Sequence, residues 1–249
     1  MLAQPRHIED LGDCFFYHTM ELPKRGVVRG LWDLRGRFDD YVGGVNVANK
    51  SVLDLGTATG FLSFEAEKRG ARVVSFDMSD ARQQAFLPFK ERLYYQDYES
   101  FIRYHNVTVE KWKNAYWFCH RLLQSKARVY YGDIYRLPEG LGKFDVVLVG
   151  AVLEHLSDQV SALASISRVT KDKMVLVTPV LETDERIARF EPTADNPEYD
   201  FTWWIYSIGV YREVLTMLGF NITRISAAKY FYELGGTYEE RTTIVASRS

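Results

Sequence analysis

Cysteine is scarce: Cys14 and Cys119 are the only two in 249 residues. They lie far apart and match neither a zinc nor a dithiol redox spacing. Two isolated thiols suit a reducing compartment and exclude a disulfide framework. Apolar runs long enough to cross a bilayer are also missing. VVLVGAVL is among the longest, whereas a spanning helix needs about 20 apolar residues. The first residues, MLAQPRHIEDLGD, hold no apolar segment of the kind a secretion signal requires. These absences lead to the expectation of a cytoplasmic protein without a membrane partner. No charge dominates: 31 Lys and Arg stand against 33 Asp and Glu, a net charge of -2. There is then no global basic field to attract nucleic acid, although a local patch stays open. Internal repeats and low-complexity tracts are absent. So is any metal-spaced cluster of His, Cys, Asp and Glu; Asp39 and Asp40 do not make one.

What is present is ordinary in amount and informative in order. Hydrophobic residues make up 47% and charged residues 26%, enough for one sizeable core. Aromatics reach 14%, with 16 Tyr and 5 Trp. Most belong to the scaffold, and some are available to line a pocket. Short apolar runs alternate with helical periodicity. Strands are expected at 51–55, 72–76, 128–131, 144–149 and 174–178, the last stopped by Pro179. Helices are expected at 62–69 and 157–169. Ser207 can cap a last helix, and Gly219 sits where a helix C-terminus favours glycine. Strands at 220–225 and 241–246 follow with only loop residues between them. That order predicts an antiparallel closing pair on an otherwise parallel sheet.

Two regions break the rhythm. Residues 1–50 precede the first core strand and form a cap segment; residues 51–249 form the main domain. An insertion at about 82–127 is longer than a simple crossover needs. Within it, Trp112, Tyr116, Cys119 and Leu123 share one helical face. They suit a crossover helix packed on the sheet, or a lid over a site.

The stretch LDLGTATGF joins the first strand to the first helix. A glycine turn that opens a helix leaves backbone N–H groups facing outward. Gly56, Ala58 and Gly60 keep the backbone bare at every second residue. A dinucleotide fingerprint places its outer glycines five apart. Gly56 and Gly60 are four apart, and Phe61 fills the place of a third glycine. Phe61-Leu62 likewise cannot replace the lysine of a phosphate loop. The loop suits a compact ligand better than a pyrophosphate. Asp77 ends the second strand, where a carboxylate can accept both hydroxyls of a ribose. Asp133 ends the third and can accept from an exocyclic amine. Met78 and Ile134 beside them are suited to flank a flat base. All these positions fall at the C-terminal edge of the sheet, where such folds bind ligands.

The ordered set VLDLGTATG, VVSFD, YGDIYRLP and FDVVLVGAVLEHLSD resembles the class I S-adenosylmethionine (SAM)-dependent methyltransferases. The likeness spans about residues 50–248, with Ala58 standing where the family usually has glycine. It implies an α/β, Rossmann-like sheet of seven strands. The sheet would be mostly parallel with the last strand antiparallel, and helices would cover both faces. It implies S-adenosyl-L-methionine as cofactor, held by Gly56, Thr57, Ala58, Gly60, Phe61, Asp77, Met78, Asp133, Ile134 and Gly150. FYHTMEL, GLWDLR and LLQSKARV further resemble a subgroup related to tRNA wobble-uridine methyl- and carboxymethyltransferases. In that subgroup the N-terminal segment caps the cofactor. By position, Trp32 and either Arg35 or Arg37 would touch its amino-acid end.

Methyl transfer is a direct displacement that needs alignment, dryness and sometimes a base. Glu154 and His155, in VLEHLSD, are candidate bases near the methyl, and His18 is another. They can equally be structural. Tyr17, Trp204 and Tyr206 are candidate acceptor contacts, the last two in TWWIYSIGVY. Residues 195–200 form an acidic loop that argues against a phosphate-rich acceptor nearby. The leading reading is therefore transfer of a methyl group to oxygen or nitrogen of a small molecule. A tRNA-modifying enzyme is the second reading. A nicotinamide-dependent oxidoreductase fits the glycine spacing poorly. A protein that holds the cofactor without catalysis fits less well than an enzyme, because the acids are intact.

Overall fold

The computed structural model describes residues 2–90, 92–195 and 202–249. Most of the acidic run at 195–200 falls outside them. The chain begins with a small hairpin, β1 (Met20–Leu22) and β2 (Gly26–Val28), followed by β3 (Trp32–Asp33) and the short helix α1 (Phe38–Tyr41). The core then alternates. It runs through β4 (Ser51–Leu55), α2 (Phe61–Lys68), β5 (Arg72–Asp77), α3 (Leu93–Gln96), α4 (Tyr98–Leu122), β6 (Arg128–Tyr131), β7 (Phe144–Gly150), α5 (Gln159–Val169) and β8 (Thr170–Thr178). An arm of two strands, β9 (Ala188–Phe190) and β10 (Trp204–Tyr206), leads to α6 (Ile208–Met217). The chain closes with β11 (Phe220–Tyr232) and β12 (Thr237–Arg248).

The main sheet has the order β3-β11-β12-β8-β7-β4-β5-β6. Strands β4 to β8 are mutually parallel, and β12 runs antiparallel to both β8 and β11. The sheet has eight strands, not the expected seven. The eighth is β3, from the N-terminal segment, which pairs antiparallel with β11 through Trp32↔Tyr232 and Asp33↔Phe231. It can do so because β11 runs on well past residue 225, where the apolar pattern gave out. The closing pair is one long hairpin whose far end offers an extra edge.

Alternation along the central strands divides the core in two. Val52, Val146 and Leu148 point to one face, where α2, α4 and the N-terminal segment pack. Leu53, Leu55, Val147 and Val149 point to the other, against α5 and α6. Both faces are covered, which is why these strands read as near-continuous apolar runs. The insertion forms α4, 25 residues and about 38 Å long. Its second half, through Tyr116, Phe118 and Cys119, is buried in the sheet's core. Its first half instead packs Phe101, Ile102 and Val109 on Ala81 and Phe86, a separate small cluster. Strand order reverses between β4 and β7, so the crevice for a ligand opens between their C-terminal ends.

Candidate active site

The loop after β4 folds back on its neighbour. The N–H groups of Gly56 and Thr57 both donate to the Phe76 carbonyl, at 2.9 and 3.2 Å. A Cβ on Gly56 would lie 2.3 Å from a methyl of Val152, and one on Gly60 would lie 2.4 Å from the Phe64 ring. Both glycines are thus required by the chain's own packing, before any ligand is considered. Gly60 also has φ +87 and caps α2. Ala58 has φ +46, a left-handed conformation costing about 1–2 kcal/mol with a Cβ. Its N–H donates to Asp77 Oδ2 at 2.7 Å, a charge-assisted bond that offsets this cost. Thr57 turns its hydroxyl inward to Asp54, and Phe61 is buried at the start of α2.

Asp77 ends β5 with its carboxylate in a cavity of about 10 Å³, lined also by Ala58, Met78, Val109, Trp112 and Lys113. Oδ1 accepts from the Met78 N–H at 2.7 Å. Burial pushes its pKa up, against the opposing pull of these two N–H groups and of Lys113. Two of its roughly four acceptor positions are used, so it retains capacity for hydroxyl donors. Asp133 spends one oxygen on the Tyr135 N–H at 2.9 Å. Ile134 packs towards the α5 and α6 core.

Gly150, at the end of β7, faces Tyr41. A Cβ there would come within 3.0 Å of both the Tyr41 hydroxyl and Leu62. Near it Tyr17 and Tyr41 form an aromatic cluster with the buried Glu154 as a charged neighbour. Burial first and Glu154 second push the Tyr17 phenol up to about 12. Burial, then Tyr17 and Glu154, raise Tyr41 well above its ordinary value. Glu154 Oε2 accepts from the Thr178 hydroxyl at 3.1 Å. Trp32 stands beside Tyr232, their ring centroids 4.8 Å apart, and carries the Arg241 guanidinium 4.7 Å from its ring centroid.

Arg35 and Arg37, the two arginines expected near the cofactor's amino-acid end, each hold an acidic neighbour. Arg37 pairs with Asp40 at 2.7 Å and Arg35 with Asp33 at 2.7 Å, both on their own segment. Arg37 also lies 5.9 Å from the ring centroid of Tyr230, which packs on Tyr41, and a second cation, Arg241 from β12, lies over Trp32. Nothing in TYEERTT marks it, because only the β3 edge brings the two segments together. Tyr41 was equally unmarked. His18 is buried with Nδ1 3.3 Å from the Thr59 hydroxyl, and its backbone N–H donates to the same hydroxyl at 3.0 Å. Burial lowers its pKa to about 3, so the imidazole is neutral and a weak base at neutral pH. His155 is half-buried in a single turn, Leu153–His155, beside Glu154.

Of the candidate acceptor contacts in TWWIYSIGVY, Trp204 packs on Phe190 of the arm, with centroids 4.9 Å apart. Tyr206 leans on Tyr211 of α6 at 5.8 Å. Trp203, from the same stretch, bonds the backbone of the Glu154 turn. Its N–H donates to the Glu154 carbonyl at 2.8 Å and its indole to the Ala85 carbonyl at 2.6 Å. The arm thereby ties the Glu154 turn to the insertion.

Residues 33–225 match the family model described as a methyltransferase domain. No curated protein matches the chain. Among solved structures it is similar to magnesium protoporphyrin IX methyltransferase from Synechocystis PCC 6803 with bound SAM. There the TM-score is 0.53 and the identity 17%, over 85% of this chain and 76% of the other. A SAM-dependent methyltransferase from Methanosarcina mazei gives 0.54 and 16%, over 87% and 98%. One from Aquifex aeolicus gives 0.51 and 16%, over 88% and 91%. At such identities the likeness is one of fold.

Proposed function

The chain belongs to the methyltransferase-domain family, and on that premise we propose that it transfers a methyl group from SAM to an oxygen or nitrogen of a small molecule. It is an enzyme, and SAM is its cofactor. The observation that carries this reading is the convergence at the sheet's switch point. Asp77, in its small cavity, and the bare Gly150 flank the Gly56–Gly60 loop, and Tyr41, one of the tyrosines near Glu154, packs on Gly150.

The residues present fit the group. Asp77 has free acceptor positions for ribose hydroxyls, and Asp133 has a second oxygen for the adenine amine. When bound, SAM supplies an electrophilic methyl carried on a sulfonium. The faces of Tyr17 and Tyr41 suit a cationic centre, whereas Trp32 already carries Arg241. Burial beneath the N-terminal segment and Trp203 keeps water from the acceptor. His18, neutral and packed, supports the loop through Thr59 instead of taking a proton. Glu154, near Tyr17 and Tyr41, and His155 in the same turn remain the candidate bases.

A tRNA acceptor is the second reading. What favours it is the N-terminal segment, which lies over the glycine loop through the His18–Thr59 contact and sets Trp32 beside Tyr17. A labelled-methyl assay against a metabolite extract and bulk tRNA separates the two. Label in the small-molecule pool supports the first reading. Label confined to tRNA overturns it in favour of the second, and label in neither overturns both.

A further inference from the structure

The cavity beside Asp77 is lined from the other side by α4, an element outside the sheet-edge motifs. Two residues of that helix, Trp112 and Lys113, line it and carry donors. Trp112 Nε1 is shielded from solvent and has no hydrogen-bond acceptor. A buried indole N–H ordinarily finds one. Lys113 is buried, and its ammonium donates to the Ser79 carbonyl and to Glu110 Oε1, both at 2.7 Å. Its remaining approach is to the Tyr131 ring, 4.8 Å from the centroid. An ammonium has three donors, and among the described residues two of Lys113's meet an oxygen.

Three groups therefore line one small cavity: an indole N–H without a partner, an ammonium N–H over a ring, and a carboxylate with spare acceptor positions. The ligand fragment that answers all three accepts two hydrogen bonds and donates to a carboxylate from adjacent atoms. A vicinal diol does this. We infer that Trp112 and Lys113 of the insertion helix complete a clamp, with Asp77, for the two ribose hydroxyls of the cofactor. This rests on the cofactor reading above. It gives the insertion a binding role beyond packing. It also accounts for a lysine buried next to the carboxylate it would otherwise simply neutralise.

The test is calorimetry with S-adenosylhomocysteine and its 2′,3′-dideoxy counterpart, on the wild type, Trp112→Phe and Lys113→Met. Each variant is expected to bind S-adenosylhomocysteine about 5- to 30-fold more weakly, the scale of one or two lost hydrogen bonds. The penalty for removing the hydroxyls, seen in the wild type, should shrink in both variants. An unchanged affinity in the variants overturns the inference while leaving the cofactor reading standing. So does a hydroxyl penalty equal in all three proteins, because a merely structural tryptophan would not couple to the diol. A wild type that does not bind S-adenosylhomocysteine at all removes the cofactor reading and this inference with it. If the variants do not fold, the intact protein answers through the assigned indole N–H resonance of Trp112. It should move downfield with S-adenosylhomocysteine and not with the dideoxy compound; no movement with either overturns the clamp.

Discussion

Gly60 and Gly70 have nearly the same left-handed backbone, φ +87 and +86, but different surroundings. An added Cβ at Gly70 meets nothing within 4 Å, whereas at Gly60 it strikes Phe64 and Tyr116 at 2.4 to 2.9 Å. Gly70→Ala should cost about 1–2 kcal/mol for the backbone alone. Gly60→Ala should add about 1–3 kcal/mol of overpacking, as read by urea denaturation; equal losses would contradict this account of the loop. Asp54 carries a different signal. It is fully buried beneath the loop, accepting from Thr57 and Ser63 at 2.8 and 2.7 Å, with Oδ1 unpaired. Burial, outweighing those bonds, raises its pKa from 3.8 to about 6. The folded carboxyl then holds its proton more tightly than the unfolded one. Its contribution to stability is full below pH 3.8 and is lost as pH rises through about 6. Between pH 4 and 7 the wild type should lose up to about 3 kcal/mol relative to Asp54→Asn. A difference that does not vary with pH would mean Asp54 is ionised throughout. The glycines were legible in the sequence, since a turn that opens a helix calls for them. Asp54 was not, because its burial depends on Ser63 and Ser75 arriving from other elements.

Helix α4 joins two environments in one element. Tyr116 bonds Ser75 of β5 at 2.8 Å, and Ser75 bonds Ser63 of α2 at 2.6 Å, so its second half is fastened to the layer beneath the glycine loop. Its first half rests on the small cluster around Phe86 and Phe101, and so has less apolar burial opposing local opening. Amide hydrogen exchange should therefore be faster in residues 98–108 than in 113–122, and S-adenosylhomocysteine should slow the first half more. Uniform protection along the helix would contradict the division. The stripe Trp112, Tyr116, Cys119, Leu123 was readable from helical spacing, and the structure turns that face inward. Which part of it meets the sheet was not readable, because that depends on where β5 ends. The strand positions of the core were legible for a physical reason: strands buried on both faces must be almost wholly apolar. The β3 edge was illegible for the opposite reason. Two residues carry no periodicity, and their pairing is fixed by how far a distant hairpin extends.

Across the whole molecule, the parallel strands and both helical layers serve to bring four chain segments to one crevice. Those segments are the loop after β4, Asp77, the end of β7 and the N-terminal cap. The motif residues of the first three could be read from order and spacing. Of the aromatic cluster beside them, Tyr17 and Glu154 stood among the sequence candidates, whereas Tyr41 and Arg241 did not, since they come from segments with no common pattern. The net charge of -2 gives no long-range pull on a polyanion, in keeping with a small acceptor. The central claim is that the Gly56–Gly60 loop and Asp77 hold SAM. Calorimetry with S-adenosylhomocysteine and with NAD, on the wild type and Asp77→Ala, tests it most directly. The predicted result is binding of S-adenosylhomocysteine but not NAD, weakened by about 1–3 kcal/mol in Asp77→Ala. Absence of binding to the wild type, or an affinity unchanged by the substitution, would contradict it.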